Sequence, residues 1–121
     1  MSALVRAMNP IGWLSRRSKM PVQPRMYVLV RRDLSDNYRM VQGKHALAQY
    51  ALDEPVLFKV WNNGTIAVLG VRNLIEMKMW EQKLLAMEKR FSAFREPDLD
   101  GQLTSLACFD VGDIFASLRP A

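Results

Sequence analysis

Between Met26 and Leu118 the chain changes its hydrophobic rhythm several times, and each change marks an element. Met26–Arg31 (MYVLVR) is an apolar, β-branched and aromatic run, the pattern of a buried strand. Polar, turn-forming residues occupy Asp33 to Asn37. A helix is expected from Tyr38 to Leu52, where helix formers continue without proline. At about 100° per residue it gathers Met40, Val41, Leu47, Ala48, Ala51 and Leu52 on one face. Gln42, His45 and Gln49 form a polar stripe beside that face.

Asp53-Glu54-Pro55 restarts a helix, with proline where its missing N–H costs least. This second helix carries Phe58 and Trp61 and stops at the turn signal Asn62-Asn63-Gly64. Thr65–Val71 reads as a second buried strand, and Asn73 is placed to cap a third helix. In that helix Leu74, Met77, Trp80, Leu84 and Met87 recur at core-facing spacing. Phe91–Arg95 and Leu103–Phe109 read as two more strands across the turn Glu96–Gly101, and Asp113–Leu118 as one helical turn. The order β-α-α-β-α-β-β predicts one α/β domain over 26–121, its four-stranded mixed sheet flanked by helices.

Charge sharpens this division. The 121 residues carry 17 basic and 12 acidic side chains, a net +5. Seven of the basic residues precede the first acid, Asp33, and from there on ten basic residues face twelve acidic ones. The basicity belongs to the start of the chain. Residues 1–25 are acid-free, hold three of the six prolines and carry an apolar cluster from Leu4 to Leu14. They read as a basic N-terminal extension: an arm that docks on RNA or a larger assembly, a non-functional extension, or an organellar transit peptide. A cytoplasmic location is expected on the first two readings and an organellar one on the third.

Composition excludes several chemistries. One cysteine, Cys108, forms no internal disulfide and reads as a small buried hydrophobe. With a single histidine, His45, the chain is poor in zinc ligands, so no metal is expected. The six glycines form no phosphate loop and no nucleophile elbow. No apolar run is long enough to span a membrane.

Ligands in open α/β sheets favour the crevice beyond the strand ends. Arg39, Lys44 and His45 lie just after the first strand. Glu96, Asp98 and Thr104 join them if the first and last strands are neighbours. A histidine, a carboxylate, a cation and a hydroxyl together can orient and deprotonate a water and stabilise an oxyanion. On spacing alone, His45 as a structural or solvated residue is the commoner outcome.

From Met26 to Phe109 the sequence resembles the peptidyl-tRNA hydrolase family of the archaeal and eukaryotic type. The strand ending in Arg31-Arg32-Asp33-Leu34 resembles that family's Val-Val-Arg-x-Asp-Leu. Val41-Gln42-Gly43-Lys44-His45-Ala46 resembles its Ala-Gln-Cys-x-His-Ala. Trp61, the Gly64 turn and Leu103-Thr104-Ser105-Leu106-Ala107 continue the likeness in order. The family's Asp-Ala-Gly-Arg-Thr stretch is replaced here by the shorter Arg95–Gln102, the mark of a divergent branch.

The resemblance implies a four-stranded mixed sheet and hydrolysis of the ester joining a peptide to tRNA, without metal or cofactor. It implies that His45 handles the attacking water with Glu96 or Asp98, and that Thr104 orients the substrate. Arg39, approximately where the family's lysine falls, would hold a phosphate or the oxyanion; Gln42 and Lys44, the latter pointing elsewhere on the helix from His45, are further candidate substrate contacts. It makes tRNA the expected partner and a homodimer compatible with the family. The competing reading is a catalytically degenerate member of the fold, binding RNA or protein through its basic arm. A third is a plain structural or interaction protein.

Overall fold

The computed structural model describes residues 23–121; the extension expected at 1–25 lies almost wholly outside the described residues. The first strand, β1 (Arg25–Arg31), runs through the middle of a mixed sheet. Helices α1 (Asp36–Asp53) and α2 (Pro55–Trp61) follow, then β2 (Ile66–Val71) and α3 (Leu74–Ala86). The chain continues through β3 (Ser92–Glu96), a short 3₁₀ turn at Pro97–Leu99, β4 (Gln102–Asp110) and β5 (Arg119–Pro120). The strands lie side by side in the order β3-β4-β1-β2-β5. β1 pairs with β2 in parallel and with β4 antiparallel, so the first strand and the long C-terminal strand are indeed neighbours.

The local signals act as their chemistry dictates. The Ser35 hydroxyl accepts from Tyr38 N–H at the start of α1, and the Asn73 side chain accepts from Glu76 N–H at the start of α3. Pro55 opens α2, and Asn62, in the left-handed region at φ 54°, closes it. Strand alternation then divides the core. Tyr27, Leu29, Leu106 and Cys108 face Met77, Trp80 and Leu84 of α3 on one side of the sheet. Met26, Val28, Val30 and Ala107 face Ala46 and Tyr50 of α1 and Trp61 of α2 on the other. Burial pushes the Cys108 thiol up to about 12, so this cysteine is an inert core residue.

Three expectations are corrected. The sheet has five strands, because Arg32 reaches over Gly70 and donates to the Pro120 carbonyl at 2.8 Å, fastening β5 to β2. Asp113–Leu118 forms consecutive turns rather than a helical turn, closed by i→i+3 bonds at Ala116 and Leu118. The apolar face assigned to α1 is not its buried face: Met40, Val41 and Leu52 are exposed, while Gln42, Gly43, Ala46 and Tyr50 are buried. The reason is close approach. At Gly43 an added Cβ would stand 3.2 Å from Val30 Cγ1, so the helix seats its small residues on the sheet.

Among the described residues no helix is long and apolar enough to cross a membrane. No group of three or more histidine, cysteine or acidic side chains there is placed to hold a metal ion.

Candidate functional site

The last residue of β1 sets the frame of the site. Arg31 is 5% exposed and donates from Nε and Nη2 to both carboxylate oxygens of Asp33, at 3.0 and 2.7 Å. Its Nη1 donates to Gln102 Oε1 and to the Leu103 carbonyl, at 3.0 and 3.1 Å. A buried guanidinium needs such a complete set of acceptors, and this set locks the start of β4 to the end of β1. The paired guanidinium holds the Asp33 carboxyl below its ordinary range.

A register shift between β3 and β4 follows directly. Phe94 pairs with Ser105 and Arg95 with Leu103, leaving Thr104 as the extra residue of a bulge. The bulge turns two consecutive hydroxyls, Thr104 and Ser105, toward α1. The Ser105 hydroxyl donates to the Gln42 backbone carbonyl at 2.7 Å, and the Thr104 hydroxyl donates to Gln42 Oε1. On its other side Gln42 Nε2 donates to Glu96 Oε1 at 2.7 Å. A carboxylate accepts only, so the Gln42 amide has one orientation: nitrogen to Glu96, oxygen to Thr104. The second oxygen of Glu96 accepts from Asp98 N–H at 3.0 Å.

Glu96 is 8% exposed and ionised. The Asp98 N–H, then the Gln42 amide, hold its carboxyl below the ordinary range against the opposing effect of burial. The charge of His45 adds a smaller contribution of the same sign. His45 itself is exposed and stacks on Phe94, with ring centroids 4.4 Å apart and planes within 7°. Phe94 thereby holds the plane of the imidazole ring.

The structure thus brings together His45, Glu96, Thr104 and Gln42, and Asp98 joins through its backbone N–H. Within this group Gln42 and Thr104 have no exposed surface. They position Glu96 from beneath, so Gln42 is a buried bridge rather than the direct substrate contact expected from sequence. Arg39 and Lys44 do not join the group. They line a groove on the β2 side of α1, and Arg39 is engaged with Asp36 Oδ1 at 2.7 Å and the Leu34 carbonyl at 2.9 Å.

One residue of the site went unnoticed in the sequence. Tyr38 stands four residues before Gln42 and seven before His45, on the same flank of α1. Its half-buried phenol feels the carboxylates of Glu96 and Asp98, and burial first, then those two charges, raise its ionisation above the usual tyrosine value. It therefore remains a protonated donor at neutral pH. The i, i+4, i+7 spacing was the available signal; tyrosine at a helix start reads more readily as packing.

The assembled flank holds an exposed imidazole, a fixed carboxylate and a phenol, above a buried amide–hydroxyl support. Such a set can take a proton from water and donate a hydrogen bond to a carbonyl. Comparison of the chain with known protein families and with curated proteins finds no match.

Proposed function

We propose that the protein hydrolyses the ester between a peptide or aminoacyl group and the 3′ ribose of tRNA. The observation that carries this reading is the convergence of His45, Glu96 and Thr104 from three separated sequence segments onto one flank of α1. The resemblance of Gln42-Gly43-Lys44-His45-Ala46 and Leu103–Ala107 to the peptidyl-tRNA hydrolase family supplies the substrate class.

His45 takes a proton from water as the water oxygen attacks the ester carbonyl, and the ionised Glu96 stabilises the resulting imidazolium. The Tyr38 hydroxyl donates to the carbonyl oxygen as negative charge develops there. The tetrahedral intermediate collapses with release of the ribose oxygen, which takes the proton back from His45. The products are a free carboxylic acid and intact tRNA, and no redox step is involved.

The test is release of an N-blocked aminoacyl group from tRNA by the full chain. Turnover is expected, with a loss of about 10²- to 10⁴-fold in His45→Ala. Background rates for the wild-type protein, or equal rates for the variant, would sink the proposal.

A second reading rests on one specific observation. Gln42, Thr104 and both Glu96 oxygens satisfy one another or a backbone N–H, a closed arrangement that also suits a structural support. On that reading the protein is a non-catalytic RNA- or protein-binding member of the fold acting through residues 1–25. RNA binding that disappears with that segment and weakens steeply with salt, without turnover, would favour it.

A further inference from the structure

Arg32, Arg72 and Arg119 come together where β1, β2 and β5 meet. Arg31 pairs with Val71 at the end of the parallel strands, so Arg32 and Arg72 are the next residue out of each. Arg32 N–H donates to the Val71 carbonyl at 2.7 Å. Arg119 stands opposite Gly70 in the antiparallel register of β2 and β5, and residues so paired share a face of the sheet. The Arg32 side chain lies over that same Gly70, in the space a Cβ would need, and its bond to the Pro120 carbonyl holds it there. All three arginines are exposed.

Acids near this cluster are already engaged. Asp33 is bonded to Arg31, Asp36 to Arg39 and Glu76 to Arg72. Neither Arg32 nor Arg119 belongs to an ion pair among the described residues. Glu76, together with a carboxylate at Ala121, would still leave the three arginines in excess. Residues 1–22 contain no acid, so that segment brings no side chain to neutralise them. From Asp33 on, ten basic residues face twelve acidic ones, so a polyanion must find its contacts at a local cluster such as this.

We infer that Arg32, Arg72 and Arg119 form a docking surface for the phosphate backbone of RNA. The choice of RNA rests on ester hydrolysis of tRNA as the reaction, and the position of the cluster suits it. Arg31, next in sequence to Arg32, bonds Gln102 and the Leu103 carbonyl beside Thr104, so the cluster lies at the end of the sheet that carries Glu96 and Thr104. Adjoining strands stand about 4.8 Å apart, so their guanidinia offer a series of contacts rather than one enclosed anion hole. A backbone with a charge on every nucleotide uses such a series, and guanidinium pairs with phosphate through two parallel bonds.

The experiment measures binding of deacylated tRNA to the full chain over a range of salt concentrations, which requires no turnover. Arg72→Gln/Arg119→Gln leaves the Arg32–Pro120 bond in place, and Lys59→Gln/Lys83→Gln removes the same charge from the last turns of α2 and α3. The arginine pair should lower affinity at least about fivefold and make the slope of log K against log salt shallower by about 1.5. The lysine pair should bind as the wild type does. Arg32→Gln should by itself reduce the slope by about one. An unchanged slope in the arginine variants, an equal loss in the lysine pair, or no binding of tRNA would each overturn the assignment. So would polyglutamate binding as tightly as tRNA at the same salt, which would make the partner an acidic protein. Binding as described in a chain that never cleaves the ester would uphold the surface and count against hydrolysis alone.

Discussion

The two flanks of α1 face the same side of one sheet and have opposite characters. On the β3–β4 flank, polar side chains are buried: Gln42 is fully enclosed, bonded to Glu96 and Thr104. On the β2 flank, apolar side chains are left open: Met40 is 53% exposed above Ile66 and Val68. The difference lies in what the sheet offers. A bulge and a carboxylate give polar groups their partners on one flank, whereas β2 presents the hydrocarbon of Ile66 and Val68 on the other. Burial thus follows satisfiable hydrogen bonding as much as side-chain polarity.

The contrast can be broken most severely at Gln42. Gln42→Leu keeps the volume but leaves Glu96 and Thr104 without their shared partner, a loss expected at about 2–4 kcal/mol. Denaturant unfolding would read it, and a change within error would show that the network contributes nothing to stability. Tyr38→Phe removes one donor from the same flank; hydrolysis should slow by up to about tenfold with the fold intact. An unchanged rate would exclude Tyr38 from the reaction.

Acid titration sharpens the comparison further. Glu96 has a depressed ionisation in the folded protein, so its contribution is fully present above the ordinary glutamate value near 4.5. That contribution is lost as pH falls through the lower folded value. Asp33 and Glu76, both also depressed, produce a similar acid slope, so the difference between wild type and Glu96→Gln isolates the site. The variant should flatten the slope below about pH 4.5 and leave it alone near neutrality. Parallel curves would mean that Glu96 is not held as described. The smallest effect belongs to the open flank: Met40→Gln should change stability by under about 1 kcal/mol, since half of that side chain is already in water.

Much of the fold could be read from the chain. The strand runs at Met26–Arg31 and Leu103–Phe109 and the Met77–Trp80–Leu84 stripe lie in the core, and the Asn73 and Asn62 boundaries hold, because each rests on local chemistry. The features that could not be read are all tertiary. β5 exists through the reach of Arg32 across Gly70, eighty-eight residues from Pro120 in sequence. The buried face of α1 is set by the tight seat of Gly43 on Val28 and Val30, which hydrophobic periodicity cannot register. Of the candidate site, His45, Glu96 and Thr104 converge because β1 and β4 are neighbours, as the element order allowed. Arg39 and Lys44 adjoin the site in sequence, but the helix turns both to the other flank.

The central claim is that the His45 flank performs chemistry. Its most direct test is single-turnover release of an N-blocked aminoacyl group from tRNA, comparing the wild-type chain with His45→Ala at matched folded concentration. A wild-type rate well above the uncatalysed background, falling at least about a hundredfold in the variant, is the predicted result. Indistinguishable rates for the two proteins would contradict it.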